Sequence, residues 1–207
     1  MTNKNTLVYI LALLFSISSC VTTKQFHQDF HKAALEGRES DKEAIIITKS
    51  GEKFEGKELT YSKFNKMRAK QIENWVAIDG KKINKAEIAV IQNKYSYTAF
   101  FQRPDLPKGE IITVDRIRFG KINLYCYAHE PLGVNQDDVR GLFHVYVFEK
   151  EFGKLVQLNF WNFSEAIKDN PAALKKLNEL FPKSEVPRFR EKMNLEGLIA
   201  VTELYNN

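Results

Sequence analysis

The apolar positions of this chain pass through four regimes. A continuous run fills Leu7 to Phe15, and helical spacing then governs residues 24 to 37. Short alternating stretches occupy 44 to about 160, and helical spacing returns from 170 to the end. In Lys24 to Gly37 the apolar residues Phe26, Phe30, Ala33 and Ala34 recur at helical intervals, and Gly37 is a stop signal. Arg38 to Glu43 is a charged loop. Ala44 to Thr48 is β-branched and short. Ser50-Gly51-Glu52 offers a turn, and Phe54 to Tyr61 returns as the second strand of a hairpin. Trp75 to Ile78 is a strand running into Asp79-Gly80, a pair that supplies the positive φ a tight turn needs. Ile83 to Gln92 and Tyr95 to Phe101 add one or two strands. Two prolines and a glycine make Arg103 to Gly109 a loop.

Further along, Ile111 to Ala128 alternates with a break at Gly120-Lys121. In Leu142 to Glu149, Leu142, His144, Tyr146 and Phe148 face one way and Phe143, Val145 and Val147 the other. Two apolar faces predict a central strand. Leu155 to Phe160 is expected to pair with it through Phe152-Gly153-Lys154. Asn170-Pro171 combines a capping side chain with a proline at the first helical position. The stripe Leu174, Leu177, Leu180, Phe181 follows and Pro182 closes it. A last helix is expected from Arg188 to Tyr205, with Leu198, Val201, Leu204 and Tyr205 on one side. Strands first and helices afterwards predict the α+β class: an antiparallel sheet of about seven to nine strands, then C-terminal helices.

The opening run belongs to none of this. Lys4 precedes nine apolar residues, whereas a spanning helix needs roughly 20. Ser16, Ser18 and Ser19 interrupt the run. A basic end, a short apolar middle and small residues at the exit describe a secretory signal peptide over residues 1–19. Ile17-Ser18-Ser19-Cys20 resembles the lipobox of bacterial lipoproteins. The resemblance implies a diacylglycerol thioether on Cys20, cleavage after Ser19 and acylation of the new amino terminus. One acyl chain binds a membrane marginally, and several hold a domain to it. The expected organisation is a signal at 1–19, the lipidated cysteine with a tether and N-terminal helix at 20–43, and one α+β domain over 44–207. Val21 departs from the aspartate that commonly retains lipoproteins at the inner membrane. No acidic run follows Cys20 either. The expectation is therefore a lipid-anchored cell-envelope protein, at the outer membrane and facing the periplasm.

Composition narrows the chemistry. With 43% hydrophobic and 28% charged residues the chain can build an ordinary core. Of its two cysteines, Cys20 is reserved for lipid, which leaves no internal disulfide. Cys126 alternates with Ile122 and Leu124 and reads as a buried small hydrophobe. Basic residues cluster at Lys63, Lys66, Arg68 and Lys70, and again at Lys81, Lys82 and Lys85. Outside the cytoplasm such clusters meet lipid head groups or acidic glycans rather than nucleic acid. Otherwise they form a solvated face.

Catalytic signals are weak. His27 and His31 stand four apart on the first helix, but Gln28 occupies the place where a metalloprotease keeps its glutamate, and Asp29 points off the shared face. His129, Glu130 and His144 could serve a hydrolase acting on an envelope polymer. No G-x-S-x-G motif accompanies them, and Ser96 and Ser164 have no recognisable context. Gln136-Asp137-Asp138 lacks the spacing of a calcium loop, and no phosphate-cradling glycine motif occurs. No catalytic, cofactor or metal residue is assigned. Aromatic residues are frequent: Tyr95, Tyr97, Phe100, Phe101, Tyr125, Tyr127, Phe160, Trp161 and Phe163. Most are expected in the core. Any that line a concave sheet would suit an apolar or sugar-like ligand. Gly120-Lys121-Ile122-Asn123-Leu124-Tyr125 and the ending Leu204-Tyr205-Asn206 resemble stretches of uncharacterised bacterial lipoproteins. That resemblance implies an architecture and carries no activity. The reading is a non-enzymatic binding or structural module, with an envelope protein or glycan as partner.

Overall fold

A computed structural model describes residues 28–62, 64–65, 70–71, 74–102, 111–129, 143–151, 153–182 and 194–207. Its centre is an antiparallel sheet of eight strands, with helices arriving mainly after the last of them. In chain order the strands are β1 (Ala44–Thr48), β2 (Lys53–Gly56), β3 (Leu59–Tyr61), β4 (Phe64–Asn65), β5 (Lys70–Gln71), β6 (Trp75–Ile78) and β7 (Lys81–Asn84). They continue with β8 (Ile88–Gln92), β9 (Tyr97–Gln102), β10 (Ile111–Arg118), β11 (Ile122–His129), β12 (Phe143–Lys150) and β13 (Val156–Gln157). Helix α1 covers residues 28–36. It is joined by α2 (Phe160–Ala166), α3 (Pro171–Leu180) and α4 (Leu195–Asn206). The large sheet runs β13-β12-β11-β10-β9-β8-β1-β2, and β3-β6-β7 forms a second, smaller sheet.

The alternation of side chains sorts the large sheet into two faces. On one, Ile117, Ile122, Leu124, Cys126, Tyr146 and Phe148 pack under Phe163, Leu177, Leu198 and Val201 of the helices. The same face is covered farther along by the small sheet, where Ala44, Ile46 and Ile91 meet Val76, Ile78 and Ile83. The other face carries Tyr97, Ala99, Phe101, Ile112, Val114, Tyr125, Val145 and Val147. It is curved. β12 and β1 stand five strands apart, about 24 Å across a flat sheet. Yet both contribute to one cavity of about 730 Å³.

Several expectations shift. The strand expected from Phe54 to Tyr61 splits into β2 and β3, which belong to different sheets. Asp79 is the cause: its carboxylate accepts from the backbone N–H of Lys57 and Glu58. A Cβ on Gly56 would stand 2.5 Å from that carboxylate, so the chain turns there. Asp79 and Gly80 do form the positive-φ turn (φ 46° and 86°). β12 has the two apolar faces expected of it but is second from the edge rather than central, because β13 pairs outside it. Its hairpin partner is only two residues long. Phe160, expected in that strand, instead opens α2, because the Asn159 side chain accepts from Asn162 N–H and caps a helix. Phe160, Phe163 and Ile167 then point into the core. α4 begins at Leu195, later than expected, where Asn194 in extended conformation caps it through Gly197 N–H. The expected start at Arg188 lies outside the described residues.

α1 is no free arm. Phe30 and Ala33 are buried among the helix-side core residues. Its end is locked to the sheet at Gly37, where a Cβ would stand 1.9 Å from the Arg116 carbonyl oxygen. The linker to β1 is held by Gln92, whose buried amide donates to the carbonyls of Glu39 and Lys42 and accepts from Glu39 N–H. Among the described residues no helix is long and apolar enough to cross a membrane.

Candidate functional site

The cavity lies on the curved face of the large sheet. Ile47 and Val90 line one side, and Tyr97, Ala99 and Phe101 of β9 form its floor. Arg116, Asn123, Tyr125 and Glu149 line the other side, and Lys49 and Lys154 stand among its remaining lining residues. Its volume falls within the roughly 300–1,000 Å³ of small-molecule sites.

Three polar lining residues arrive by the same rule of alternation. Arg116 is in phase with Ile112 and Val114, Asn123 with Tyr125, and Glu149 with Val145 and Val147. The register pairs Arg116 with Tyr125 and Asn123 with Glu149. The inward rows of β10, β11 and β12 therefore change from apolar to polar at the same end. The result is an apolar cavity with one polar wall.

Arg116 is only 1% exposed. Its Nε donates to the Gly37 carbonyl at 2.6 Å, and its guanidinium carbon lies 3.5 Å from the Tyr97 ring centroid and 4.6 Å from that of Phe119. Among the described residues no carboxylate pairs with it, and Nη2 is buried with no hydrogen-bond partner. Asn123 is similar: Oδ1 accepts from Gly120 N–H, while Nδ2 is buried and unpartnered. Buried polar groups are nearly always bonded, and two of the buried polar atoms left without a partner among the described residues belong to this wall. The Tyr125 hydroxyl donates to Glu149 Oε2 at 3.0 Å. Burial first, and then the Glu149 charge, push the Tyr125 phenol well above its usual range. Burial also raises Tyr97, an effect the nearby Arg116 cation partly offsets. Burial thus favours the neutral form of both phenols, available for hydrogen bonding. Among the described lining residues, three cations accompany one carboxylate.

None of the catalytic or metal candidates from the sequence is among the described lining residues of the cavity. His27, Glu130, Gln136, Asp137 and Asp138 lie outside the described residues, as do Cys20 and the segment 1–19 before it. His31 is exposed, and among the described residues no three metal-ligating side chains come together. His129 and His144 are described through their backbone: Ala128 pairs with His144 and His129 with Phe143, one rung apart. Ser96 bonds Thr98, and Ser164 donates to the Trp161 carbonyl. Cys126 is fully buried, and burial raises its thiol far above the ordinary value. In the second basic cluster, Lys81 and Lys82 lie over the rings of Phe54 and Trp75. Lys63, Lys66 and Arg68 are outside the described residues. Of the aromatics, Tyr97, Phe101 and Tyr125 meet in the cavity, Phe160 and Phe163 enter the helix-side core, and Tyr95 and Trp161 are exposed. Arg116, Asn123 and Glu149 escaped the sequence reading. Their one signal is a polar residue in phase with an apolar row.

No known family model, no curated protein and no solved structure matches the chain.

Proposed function

We propose that this chain is a lipid-anchored, non-enzymatic binding module of the bacterial envelope. It is tethered through Cys20 at the periplasmic side of the outer membrane and takes a small, largely apolar ligand into the sheet cavity. The observation that carries the binding role is the cavity itself: an aromatic and aliphatic interior with a few convergent polar groups. The anchor rests on the Ile17-Ser18-Ser19-Cys20 motif and its likeness to the lipobox.

Two measurements on the full chain test this reading. Cells fed an alkynyl palmitate analogue should label the wild-type protein and not Cys20→Ser. In lipid nanodiscs, a neutral fluorescent naphthylamine probe should bind above the empty-disc blank, and Val90→Trp, which fills the cavity, should exclude it. An unlabelled wild-type protein would remove the anchor. Probe signal at the blank level would remove the binding role.

A further inference from the structure

Building on the cavity as a binding site, we infer that its ligand is a carboxylate-bearing amphiphile, seated with its head group on Arg116 and Asn123 and its apolar body along Val90, Ala99 and Phe101. A buried cation costs free energy unless it is paired, and among the described residues no carboxylate bonds to Arg116. The Nε bond to Gly37 and the rings of Tyr97 and Phe119 hold the guanidinium in place without neutralising it. The unpartnered Nη2 of Arg116 and Nδ2 of Asn123 are both donors, so the missing partner is an acceptor. Arg116 faces Tyr125, and Asn123 lies two residues along β11 on the same face, next to the register shift that follows Arg116.

The charge around the cavity points the same way. Lys49, Arg116 and Lys154 outnumber Glu149, whose carboxylate is already engaged by the Tyr125 hydroxyl. Two donors match the two oxygens of a carboxylate. A phosphate monoester would bring a further oxygen and more charge to an otherwise apolar wall, where unpaired polar atoms are costly. Nη2 is buried, so a head group must displace part of its surroundings. Phe119, 51% exposed and stacked on the guanidinium, is the outermost of these neighbours.

The test is isothermal titration of the full chain in lipid nanodiscs, with empty discs as blank, using octanoate, octanol, octylamine and octyl phosphate below their micellar range. Octanoate is expected to bind at least tenfold more tightly than octanol or octylamine. Arg116→Met should weaken octanoate at least tenfold and octanol far less, while Arg116→Lys should recover part of the octanoate loss. Glu149→Gln keeps an acceptor for Tyr125 and should strengthen octanoate severalfold. It decides the matter alone should Arg116→Met fail to fold, and an unchanged affinity there would overturn the inference. Equal binding of octanol and octanoate, indifferent to Arg116, would overturn the head-group assignment while leaving the binding role intact. Tighter binding of octyl phosphate would replace carboxylate by phosphate and likewise overturn it. No binding of any of the four would bring down the binding role together with the inference.

Discussion

Gly37→Ala should be among the most damaging single-methyl changes in this protein, through contact rather than backbone conformation. The added carbon would stand 1.9 Å from the Arg116 carbonyl oxygen, 2.5 Å from its carbon and 3.0 Å from Ile117 N. Ordinary contact lies near 3.5 Å, so α1 must retreat from β10 by roughly 1.5 Å. The atoms in the way are backbone atoms of a paired strand and cannot swing aside. Overpacking of this kind costs about 1–3 kcal/mol. The retreat also stretches the 2.6 Å bond from Arg116 Nε to the Gly37 carbonyl, and a bond to a charged group is worth about 1.5–3 kcal/mol. Alanine returns about 0.4–1 kcal/mol by restricting the unfolded chain. The net expectation is a loss of roughly 1.5–5.5 kcal/mol. At a urea slope of about 2–3 kcal/mol/M this lowers the midpoint by about 0.5–2.8 M. A double-mutant cycle separates the two contributions. In an Arg116→Met background the bond is already gone, so Gly37→Ala should cost less there by about 1.5–3 kcal/mol. A single mutant within about 1 kcal/mol of wild type would refute the packing argument. Strict additivity in the cycle would refute the bond.

Three further outcomes are expected. Asn206 receives the Ile122 N–H and donates to the Ile122 and Phe119 carbonyls, tying the chain end to the β10–β11 turn. Asn206→Ala should therefore cost about 2–3 kcal/mol and lower a calorimetric Tm by roughly 4–12 °C, and an unchanged Tm would dismiss the clamp. Burial raises the Asp115 carboxyl above 3.8 despite hydrogen bonds from Thr98 and Ser96. The folded state then binds the proton more tightly than the unfolded chain, and this contribution to stability fades as pH climbs upward from 3.8. Asp115→Asn keeps an acceptor for Thr98, so urea midpoints at pH 3.5 and 7 should show it gaining on wild type at the higher pH. A pH-independent difference would contradict that. Cys126 is buried, with its thiol pushed up by burial, so iodoacetamide should modify it only after denaturation. Rapid native alkylation at that residue would show that the core opens.

The fold was legible wherever one local signal acted alone. Alternation placed β10, β11 and β12 almost to the residue, because each strand buries two different faces and a one-residue slip would exchange them. Asn170-Pro171 marked α3 for an equally local reason: the cap bonds Ala173 N–H. Reading failed where a long-range contact decided. Gly56 ends β2 because Asp79, more than twenty residues later, occupies the space above it. α2 was hidden because Leu158 and Phe160 continue the alternation of a strand. The capping role of Asn159 carries no distinctive pattern, since asparagine is as common in turns.

The cavity was illegible for a different reason. Its aromatic floor was visible only as a surplus of tyrosine and phenylalanine, since alternation says that two residues share a face and not whether that face is filled. Sheet curvature settles this, and curvature is a property of eight strands together. Arg116 is harder still. An arginine near the end of a strand ordinarily reaches water along its own stem. Here Gly37, arriving from α1, closes over the strand at Arg116, and Tyr97 and Phe119 stack on the guanidinium. Three separate segments thus turn an unremarkable polar position into a buried cation. Once the cation is buried, its orphaned donor and that of Asn123 are a cost carried without a partner among the described residues. That cost is understandable if the partner comes from outside, and the proposed carboxylate supplies the acceptor oxygens that the two donors lack.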